Sequence, residues 1–271
     1  MRDAFGVLER ARTSLFLRAL DLADRVRGRS DRLVPPRRHS FVGGGDFVAT
    51  GDEFLGHFVE LGGLRPADAV LDIGCGIGRM ARPLTRYLSA DGTYEGFDVS
   101  REGIDWCRRH YRPHPNFRFR HADLYNAEYN PRGAIRATDF RFPYDDGSFD
   151  LAAAISVFTH LLPDDAARYV SEAARVLAPG GRMLVTWFML DADSRRGLAR
   201  GAAALPFRDR DDHTAVINPE VPEEAIAYDA GWVAGRLSDG GLAVRGVWPG
   251  TWSGKDDGRS FQDIVVAEVT A

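Results

Sequence analysis

Residues 70–79, Val-Leu-Asp-Ile-Gly-Cys-Gly-Ile-Gly-Arg, constrain the fold of this chain more than any other stretch. Apolar residues of strand character surround one acid, three alternating glycines follow, and residues 80–88 place apolar side chains at helical spacing. The pattern predicts a buried strand, a glycine turn and a helix. Such glycines permit a positive φ and let a ligand approach the backbone, while the N–H groups at a helix start favour a negatively charged group.

The spacing of the glycines limits which class of ligand the turn can bind. A dinucleotide fingerprint would need a third glycine at position 79, where this chain has Arg79. A phosphate-binding P-loop would need Gly-Lys-Ser or Gly-Lys-Thr, which does not follow this turn. The carboxylate of Asp72 opposes a pyrophosphate and suits a ligand that carries an ammonium group.

Length and composition exclude several classes of protein. A chain of 271 residues suits one large α/β domain with additions. The net charge of −4 gives no support for a nucleic-acid surface. Cys75 and Cys107 provide neither a disulfide framework nor the spacing of metal ligands. Because no apolar run has membrane-spanning length and the first residues lack a signal-peptide pattern, we expect a cytoplasmic protein.

Two more predicted strands end in acids. Residues 92–98 predict a second strand ending at Asp98, roughly twenty residues beyond the glycine turn, where a carboxylate can accept hydrogen bonds from both ribose hydroxyls. Residues 116–120 predict a third strand, which runs into Asp123. On the residues alone Asp98 indicates a ribose but would serve NAD as well, and either acid could simply be exposed at a strand end.

Residues 52–190 resemble the class I S-adenosylmethionine-dependent methyltransferases. The resemblance rests on the glycine turn, the acids at the strand ends, the phrase Phe-Pro-Tyr-Asp-Asp-Gly-Ser-Phe-Asp before a fourth strand at 151–157, and a helix, Pro-Gly-Gly turn and fifth strand over 164–188. It implies a doubly wound α/β fold with a seven-stranded, mostly parallel sheet. It also implies S-adenosylmethionine as cofactor and S-adenosylhomocysteine as product.

The same resemblance assigns the cofactor site. It implies that Asp98 binds the ribose, that Asp123 reads the adenine amino group, and that Asp72 supports the amino-acid end of the cofactor. The full set lies in the glycine turn and at the ends of the second, third and fourth strands: Asp72, Gly74, Cys75, Gly76, Gly78, Asp98, Val99, Asp123, Leu124 and Ser156.

The fourth strand runs into Ser-Val-Phe-Thr-His-Leu at 156–161, where the family brings a strand end to the transferable methyl group. A histidine can be neutral near pH 7 and accept a proton, so His160 is the candidate base for O-methylation, with a structural histidine as the alternative. Asp164 and Asp165 follow closely and leave metal dependence open, although we do not expect a metal. N- or C-methylation of a small metabolite is the alternative reaction.

The acceptor is expected to be a small molecule or a glycan. Residues 41–51, Tyr-Asn-Pro-Arg-Gly at 129–133 and Ser-Val-Phe-Thr-His at 156–160 together resemble bacterial methyltransferases of saccharide or secondary-metabolite pathways. No Asn-Pro-Pro-Tyr motif for base amines is present. Residues 125–142, rich in Tyr and Asn, form either a substrate wall or a loop tied by its own asparagines. The candidate acceptor-binding residues are Tyr125, Tyr129, Asn130, Thr159 and Trp252.

The remaining segments are expected to complete the domain. Residues 1–51 predict an amphipathic helix over 3–27, which packs on the core or on a homodimer partner, and a glycine segment at 43–45 that is a lid or a plain loop. Residues 191–222 predict an insertion that caps the site. Residues 223–271 predict a helix over 223–242 and two closing antiparallel strands. Trp248 and Trp252 either stack on a substrate ring or pack at the sheet edge.

Two rival classes share these features. A nicotinamide-dependent oxidoreductase would have the same fold and use Asp98, but the glycine spacing opposes it. A non-catalytic protein that binds the cofactor and serves a partner would retain the cofactor residues without turnover.

Overall fold

The computed structural model describes residues 31–36 and 45–270. The helix predicted over 3–27 and the glycines at 43 and 44 lie outside the described residues. In chain order the elements are α1 (Phe47–Glu60), β1 (Ala69–Ile73), α2 (Ala81–Tyr87), β2 (Thr93–Asp98), α3 (Arg101–His110), β3 (Phe117–His121), β4 (Phe149–Ala154), α4 (Pro163–Val176), β5 (Leu177–Trp187), β6 (Met189–Leu190), α5 (Ala192–Ala199), β7 (Arg208–Asp209), β8 (Thr214–Val216), β9 (Ile226–Asp229), α6 (Ala230–Asp239), β10 (Leu242–Trp248) and β11 (Asp263–Val269).

The main sheet has seven strands in the order β10-β11-β5-β4-β1-β2-β3. The five strands from β5 to β3 run parallel, and β11 lies antiparallel between β5 and β10. The predicted doubly wound α/β fold with a seven-stranded, mostly parallel sheet and a closing antiparallel pair is therefore confirmed. Because β1 lies between β4 and β2, the glycine turn that follows it leaves the sheet near its centre.

Helices cover both faces of this sheet, as a parallel sheet requires. Successive residues of the central strands alternate between two apolar cores: Leu71 of β1 and Ala152 of β4 pack in one, and Val70 and Leu151 pack in the other. Among the described residues no helix is long and apolar enough to cross a membrane.

The first helix that the structure describes, α1, begins at Phe47. The Asp46 carboxylate caps it by accepting hydrogen bonds from the N–H groups of Val48 (2.9 Å) and Ala49 (2.7 Å). Gly51 reads as a helix breaker in the sequence, yet it lies inside α1, where a Cβ would come within 2.6 Å of the Arg79 carbonyl oxygen. Close packing of α1 against the glycine turn explains this glycine.

The expectation of a single helix over 223–242 is wrong. Ile226–Asp229 forms β9 of a second sheet, with the order β6-β9-β8-β7, and the helix begins only at Ala230. Residues 226–228 are fully buried, so they pack on both sides as strand residues do. The Asp229 carboxylate then caps α6 by accepting from the Trp232 N–H at 3.1 Å.

Trp252 belongs to a core and not to a substrate surface, so its assignment to the acceptor is also wrong. Its side chain is fully buried, and its ring meets the rings of Phe188 and Phe207 at centroid distances of 5.3 and 5.4 Å. Its indole Nε1–H donates to the Asp263 carboxylate at 2.7 Å. Packing at the sheet edge, the alternative for this tryptophan, is what the structure contains.

The buried Asp263 carboxylate fastens this edge of the domain. Besides the Trp252 indole, it accepts hydrogen bonds from the N–H groups of Met189 (2.8 Å) and Gly250 (2.7 Å). Three chain segments therefore meet at one side chain that is 3% exposed.

We expect Asp263→Ala to lower the free energy of unfolding by about 4 kcal/mol, because three buried donors lose their acceptor. Trp252→Phe, which removes one donor, should cost about 1–2 kcal/mol. Urea unfolding measures both, with the exposed Asp256→Ala as the control for loss of a carboxylate from the same loop. Equal stability of the Asp263 and Asp256 variants would contradict this interpretation.

Candidate active site

A cavity of about 460 Å³ opens at the carboxyl ends of β1, β2 and β4. Ligands of open α/β sheets bind in this position, next to the point where strand order reverses. The cavity brings together ten of the residues predicted from sequence: Asp72, Gly74, Cys75, Asp98, Val99, Leu124, Tyr125, Tyr129, Ser156 and His160.

The glycine turn has the backbone geometry that its sequence predicts. Gly74, Gly76 and Gly78 have φ values of 75°, 55° and 84°, which side chains strongly disfavour. At Gly74 a Cβ would also lie 2.4 Å from a methyl carbon of Val157. The turn therefore presents bare backbone to the cavity, and Arg79, at the position of the dinucleotide glycine, lines the wall beside it.

Asp72 is a buried carboxyl group at the end of the central strand. Its side chain accepts a 2.6 Å hydrogen bond from the Tyr94 hydroxyl, and the residue is 2% exposed. Burial raises the pKa of Asp72 to about 7, although the Tyr94 hydrogen bond acts in the opposite direction. The charged form is thus poorly compensated by the protein alone and would be stabilised by a cationic group in the cavity.

Asp98 ends β2 beside the same turn. Its carboxylate accepts hydrogen bonds from the N–H groups of Gly76 and Ser100, both at 2.7 Å. Burial raises the pKa of Asp98, and these two hydrogen bonds oppose the rise. One oxygen thereby fixes the glycine turn and the other the start of α3, which orients the carboxylate at the cavity wall.

Besides Trp252, five of the predicted site residues do not line the cavity. Gly76 and Gly78 shape the turn but are not among the described residues that line the cavity, and the same holds for Asp123, Asn130 and Thr159. Asn130 donates its amide to the Asp123 carboxylate (3.2 Å) and to the Leu124 carbonyl oxygen (2.9 Å). Thr159 is fully buried. Asn130 and Thr159 were expected to contact an acceptor, and their hydrogen bonding and burial explain why they do not reach the cavity.

Residues 125–142 combine the two alternatives that the sequence left open. Asparagine side chains do tie the segment down, and Gly133 packs so closely on Leu124 that a Cβ would lie 2.2 Å from its carbonyl group. Tyr125, Tyr129 and Arg136 from the same segment nevertheless line the cavity. Both tyrosines are about half exposed, so the segment forms a wall at the mouth of the site.

The residues expected to cap the site lie elsewhere. No residue of 191–222 is among the described residues on the cavity wall, whereas Glu223, immediately after that segment, is. The turn Pro222–Glu224 packs against the turn Phe158–His160, which follows β4. Residues 207–216 instead contribute to the second sheet and its own small core.

His160 is held in one tautomer. Its Nδ1 lies 2.8 Å from the Glu223 carbonyl oxygen, which can only accept, so Nδ1 carries the hydrogen and Nε2 carries the lone pair. Nε2 lies 3.4 Å from the Tyr129 hydroxyl, and Asn126 donates to the His160 carbonyl oxygen at 3.0 Å. Burial lowers the pKa of His160, which keeps the imidazole neutral near pH 7.

Asp164 and Asp165 line the same part of the cavity. Burial raises the pKa of Asp165. In the ranges that the structure describes, no group of three or more His, Cys, Asp or Glu side chains is arranged to hold a metal ion.

Ser156 has a strained backbone at the end of β4. It is the one described non-glycine residue with a positive φ, 57°, in a region that favours glycine. Its N–H donates to the Thr186 hydroxyl at 2.8 Å, and its own hydroxyl donates to Gln262 at 3.1 Å. These contacts hold the strand end against the cavity, where strain often accompanies function.

Sequence reasoning missed three residues that position the site: Tyr94, Asn126 and Glu223. A sequence signal for Tyr94 exists. Gly96 pairs with Asp72 on the neighbouring strand and has no side chain, so the hydroxyl of Tyr94, two residues earlier on the same face of β2, has room beside Asp72. Asn126 and Glu223 have no such signal, since each contacts His160 across a long sequence separation.

The sheet order, the glycine turn and the acidic strand ends define a Rossmann-like methyltransferase fold. Among solved structures, the PH0226 protein from Pyrococcus horikoshii OT3 has a TM-score of 0.58 and 16% identity, over 86% of this chain and 95% of that one. At this identity the likeness shows the fold alone.

Residues 71–185 match a family model described as "Methyltransferase domain". Residues 71–185 therefore form a domain of the S-adenosylmethionine-dependent methyltransferase type. The 27-O-demethylrifamycin SV methyltransferase of Amycolatopsis mediterranei is 30% identical over 61% of this chain and 59% of its own. A phthiotriol/phenolphthiotriol dimycocerosates methyltransferase of Mycobacterium ulcerans is 35% identical over 47% of this chain and 39% of its own. The chain thus spans less than two thirds of these curated relatives.

The cavity wall fits the cofactor of this class. S-adenosylmethionine carries a ribose and cationic groups, and the structure provides the buried carboxyl group of Asp72, the half-buried carboxyl group of Asp98 and a bare glycine backbone around one cavity. Asp72 in particular lacks a cationic partner among the described residues that contact it.

We expect binding of S-adenosylhomocysteine to weaken as pH falls below about 7. This follows from the prediction that Asp72 pairs with the ligand ammonium group: protonated Asp72 would have to lose its proton to do so, and the affinity should then fall by up to about tenfold per pH unit. Calorimetric titrations between about pH 5.5 and 7.5 test this.

Two tyrosine variants assign the effect to Asp72. Tyr94→Phe removes the hydrogen bond that lowers the pKa of Asp72, so the loss of affinity should begin at a higher pH. Tyr87→Phe is the control, because the Tyr87 hydroxyl donates to Leu64 and not to Asp72. Equal pH profiles for the Tyr94 and Tyr87 variants would contradict the assignment.

Proposed function

We propose that this protein is an S-adenosylmethionine-dependent O-methyltransferase that acts on a hydroxyl group of a small molecule or saccharide in secondary metabolism. The observation that carries the proposal is the fixed tautomer of His160, which leaves the lone pair on Nε2 in a residue that lines the same cavity as Asp72 and Asp98. A neutral imidazole whose Nδ1–H already donates a hydrogen bond is suited to accept a proton from a hydroxyl at Nε2.

In this proposal the cofactor is held by the glycine turn and two carboxylates. Asp72 pairs with its ammonium group and Asp98 accepts hydrogen bonds from its ribose hydroxyls, with Val99, Leu124 and Ser156 as further wall residues. When bound, S-adenosylmethionine supplies an electrophilic methyl group, whose bond to sulfur breaks with both electrons remaining on the sulfur. Asp123 accepts from Asn130 through one carboxylate oxygen, and its second oxygen would accept from the adenine amino group.

His160 acts as the base in this proposal. Glu223 accepts the Nδ1–H and orients the ring, so Nε2 takes the proton of the acceptor hydroxyl while the hydroxyl oxygen forms its bond to the methyl carbon. The positive charge thus passes to the imidazolium, which releases its proton to solvent. Tyr125, on the exposed wall, supports the acceptor by ring contact.

The names of the relatives support a secondary metabolite as acceptor. One curated relative is named for a demethylrifamycin substrate and another for dimycocerosate substrates. Cytoplasmic location and assembly as a homodimer remain proposals.

We expect Asp98→Ala to weaken binding of S-adenosylhomocysteine by about 10- to 100-fold, because two hydroxyl hydrogen bonds to a charged acceptor are lost. Calorimetry with S-adenosylhomocysteine and, separately, NAD measures this, with Asp105→Ala on the exposed face of α3 as the control. Binding of NAD alone would replace the proposal with an oxidoreductase. Selective cofactor binding without turnover of any acceptor would favour the non-catalytic alternative.

We expect His160→Gln to lower kcat by about 10²- to 10⁴-fold, because the proton loses its acceptor. Binding of S-adenosylhomocysteine should be retained. The assay follows S-adenosylhomocysteine formation with a panel of monosaccharides and phenols. For the wild type at saturating cofactor, kcat/KM for the acceptor should fall at low pH as the imidazole becomes protonated, with a midpoint below the ordinary histidine value. An unchanged kcat in the variant would remove His160 from the reaction.

A further inference from the structure

Tyr129 makes a contact with His160 that the proposed reaction does not use. The Tyr129 hydroxyl oxygen lies 3.4 Å from His160 Nε2, and the two rings meet edge to face, with centroids 5.0 Å apart and planes at 86°. Because Nδ1 donates to Glu223, Nε2 can only accept, and the phenol is the donor. The proton-accepting atom of the candidate base therefore faces a hydroxyl group of the chain itself.

The backbone of Tyr129 is fixed, but its side chain can be displaced from His160. Its backbone N–H donates to Asn126 at 2.9 Å, and the amide of the same Asn126 donates to the His160 carbonyl oxygen. The Tyr129 backbone is thereby fixed relative to the imidazole, whereas its side chain lies on the exposed wall and is 46% exposed. A contact of 3.4 Å is long for a hydrogen bond, so its replacement by another donor costs little.

This proposal rests on the proposed function. We propose that the Tyr129 hydroxyl occupies the position of the acceptor hydroxyl, and that an acceptor displaces it only with a neutral group that can donate to Nε2. An alcohol or a phenol can take this position, because its O–H supplies the same hydrogen bond. Its proton then passes to Nε2, the electron pair of the O–H bond stays on the acceptor oxygen, and Tyr129 keeps its own proton.

An ionised carboxylate cannot replace Tyr129 in this way. It has lone pairs and no hydrogen to direct at the lone pair of Nε2. The wall beside His160 also carries Asp164, Asp165 and Glu223, whose charges oppose an anionic acceptor. Burial raises the pKa of Tyr129, with Glu128 and Asp98 acting in the same direction, so the phenol stays a donor near pH 7.

Chemical modification tests the contact without an acceptor. Diethyl pyrocarbonate acylates the imidazole nitrogen that carries the lone pair, and peptide mass spectrometry reports its reaction at His160. We expect Tyr129→Phe to accelerate this reaction by about fivefold, the factor that one lost hydrogen bond allows. The pKa of His160, measured by NMR, should rise in the same variant, since a hydrogen bond to the neutral form is lost.

Tyr125→Phe is the matched control. Tyr125 lines the same wall and is 49% exposed, and its hydroxyl has no hydrogen-bond partner among the described residues. It should leave both the modification rate and the pKa of His160 unchanged. Unchanged values in Tyr129→Phe as well would show that Tyr129 does not occupy Nε2 and would overturn the proposal.

Phenol and benzoate, two probes of similar size, test the selection of donors. In Tyr129→Phe, millimolar phenol should slow the modification of His160 severalfold, and equal benzoate should not. Failure of phenol to protect, or equal protection by benzoate, would overturn the proposal. The modification and protection assays need neither cofactor nor turnover. They can therefore contradict this proposal even if the Asp98 titration confirms cofactor binding. If the titration fails instead, the modification and protection assays can still be interpreted.

Discussion

The candidate site depends on one buried carboxyl group at the end of the central strand. Asp72 lies in β1 with strands on both sides, where water cannot solvate its charge. Asp72 pairs with Gly96 on the neighbouring strand β2. Because this glycine has no side chain, the Tyr94 hydroxyl can reach Asp72 and donate one hydrogen bond to it. One neutral donor compensates the charge only in part, so a cationic ligand in the cavity would stabilise the ionised form of Asp72. The glycine turn directly after β1 leaves that part of the cavity accessible.

A second constraint shapes the cavity wall around His160. Residues 125–142 leave the end of β3 and fold back on it, which requires Gly133 because the Leu124 backbone occupies the place of any side chain. Asn126 then joins this segment to the carbonyl group of His160, while the Glu223 carbonyl fixes the imidazole from the opposite side. The histidine is thus oriented by two segments that are distant in sequence. Loops on a rigid sheet commonly position functional side chains in this way.

Much of the core followed from periodicity and spacing. The strand at β1, the glycine turn and the acid that ends β2 are local patterns, and the structure contains each of them. The errors came where local pattern and tertiary burial disagree. Residues 226–229 have no strand alternation, because β9 is buried on both faces between β6 and β8. The exposure of Trp252 could not be judged either, since its partner Asp263 becomes its neighbour only after the antiparallel pair closes the sheet.

The sequence by itself determined the class of fold, the position of the glycine turn and the carboxylates at the ends of β1 and β2. It could do so because these features depend on residues that are adjacent or follow a fixed period along the chain. Only the tertiary structure decided the tautomer of His160, the donor to Asp72 and the place of Asn126 and Glu223 on the cavity wall. Each of these depends on a contact between distant segments, such as His160 with Glu223, and the chain's local propensities contain no information about which distant groups meet.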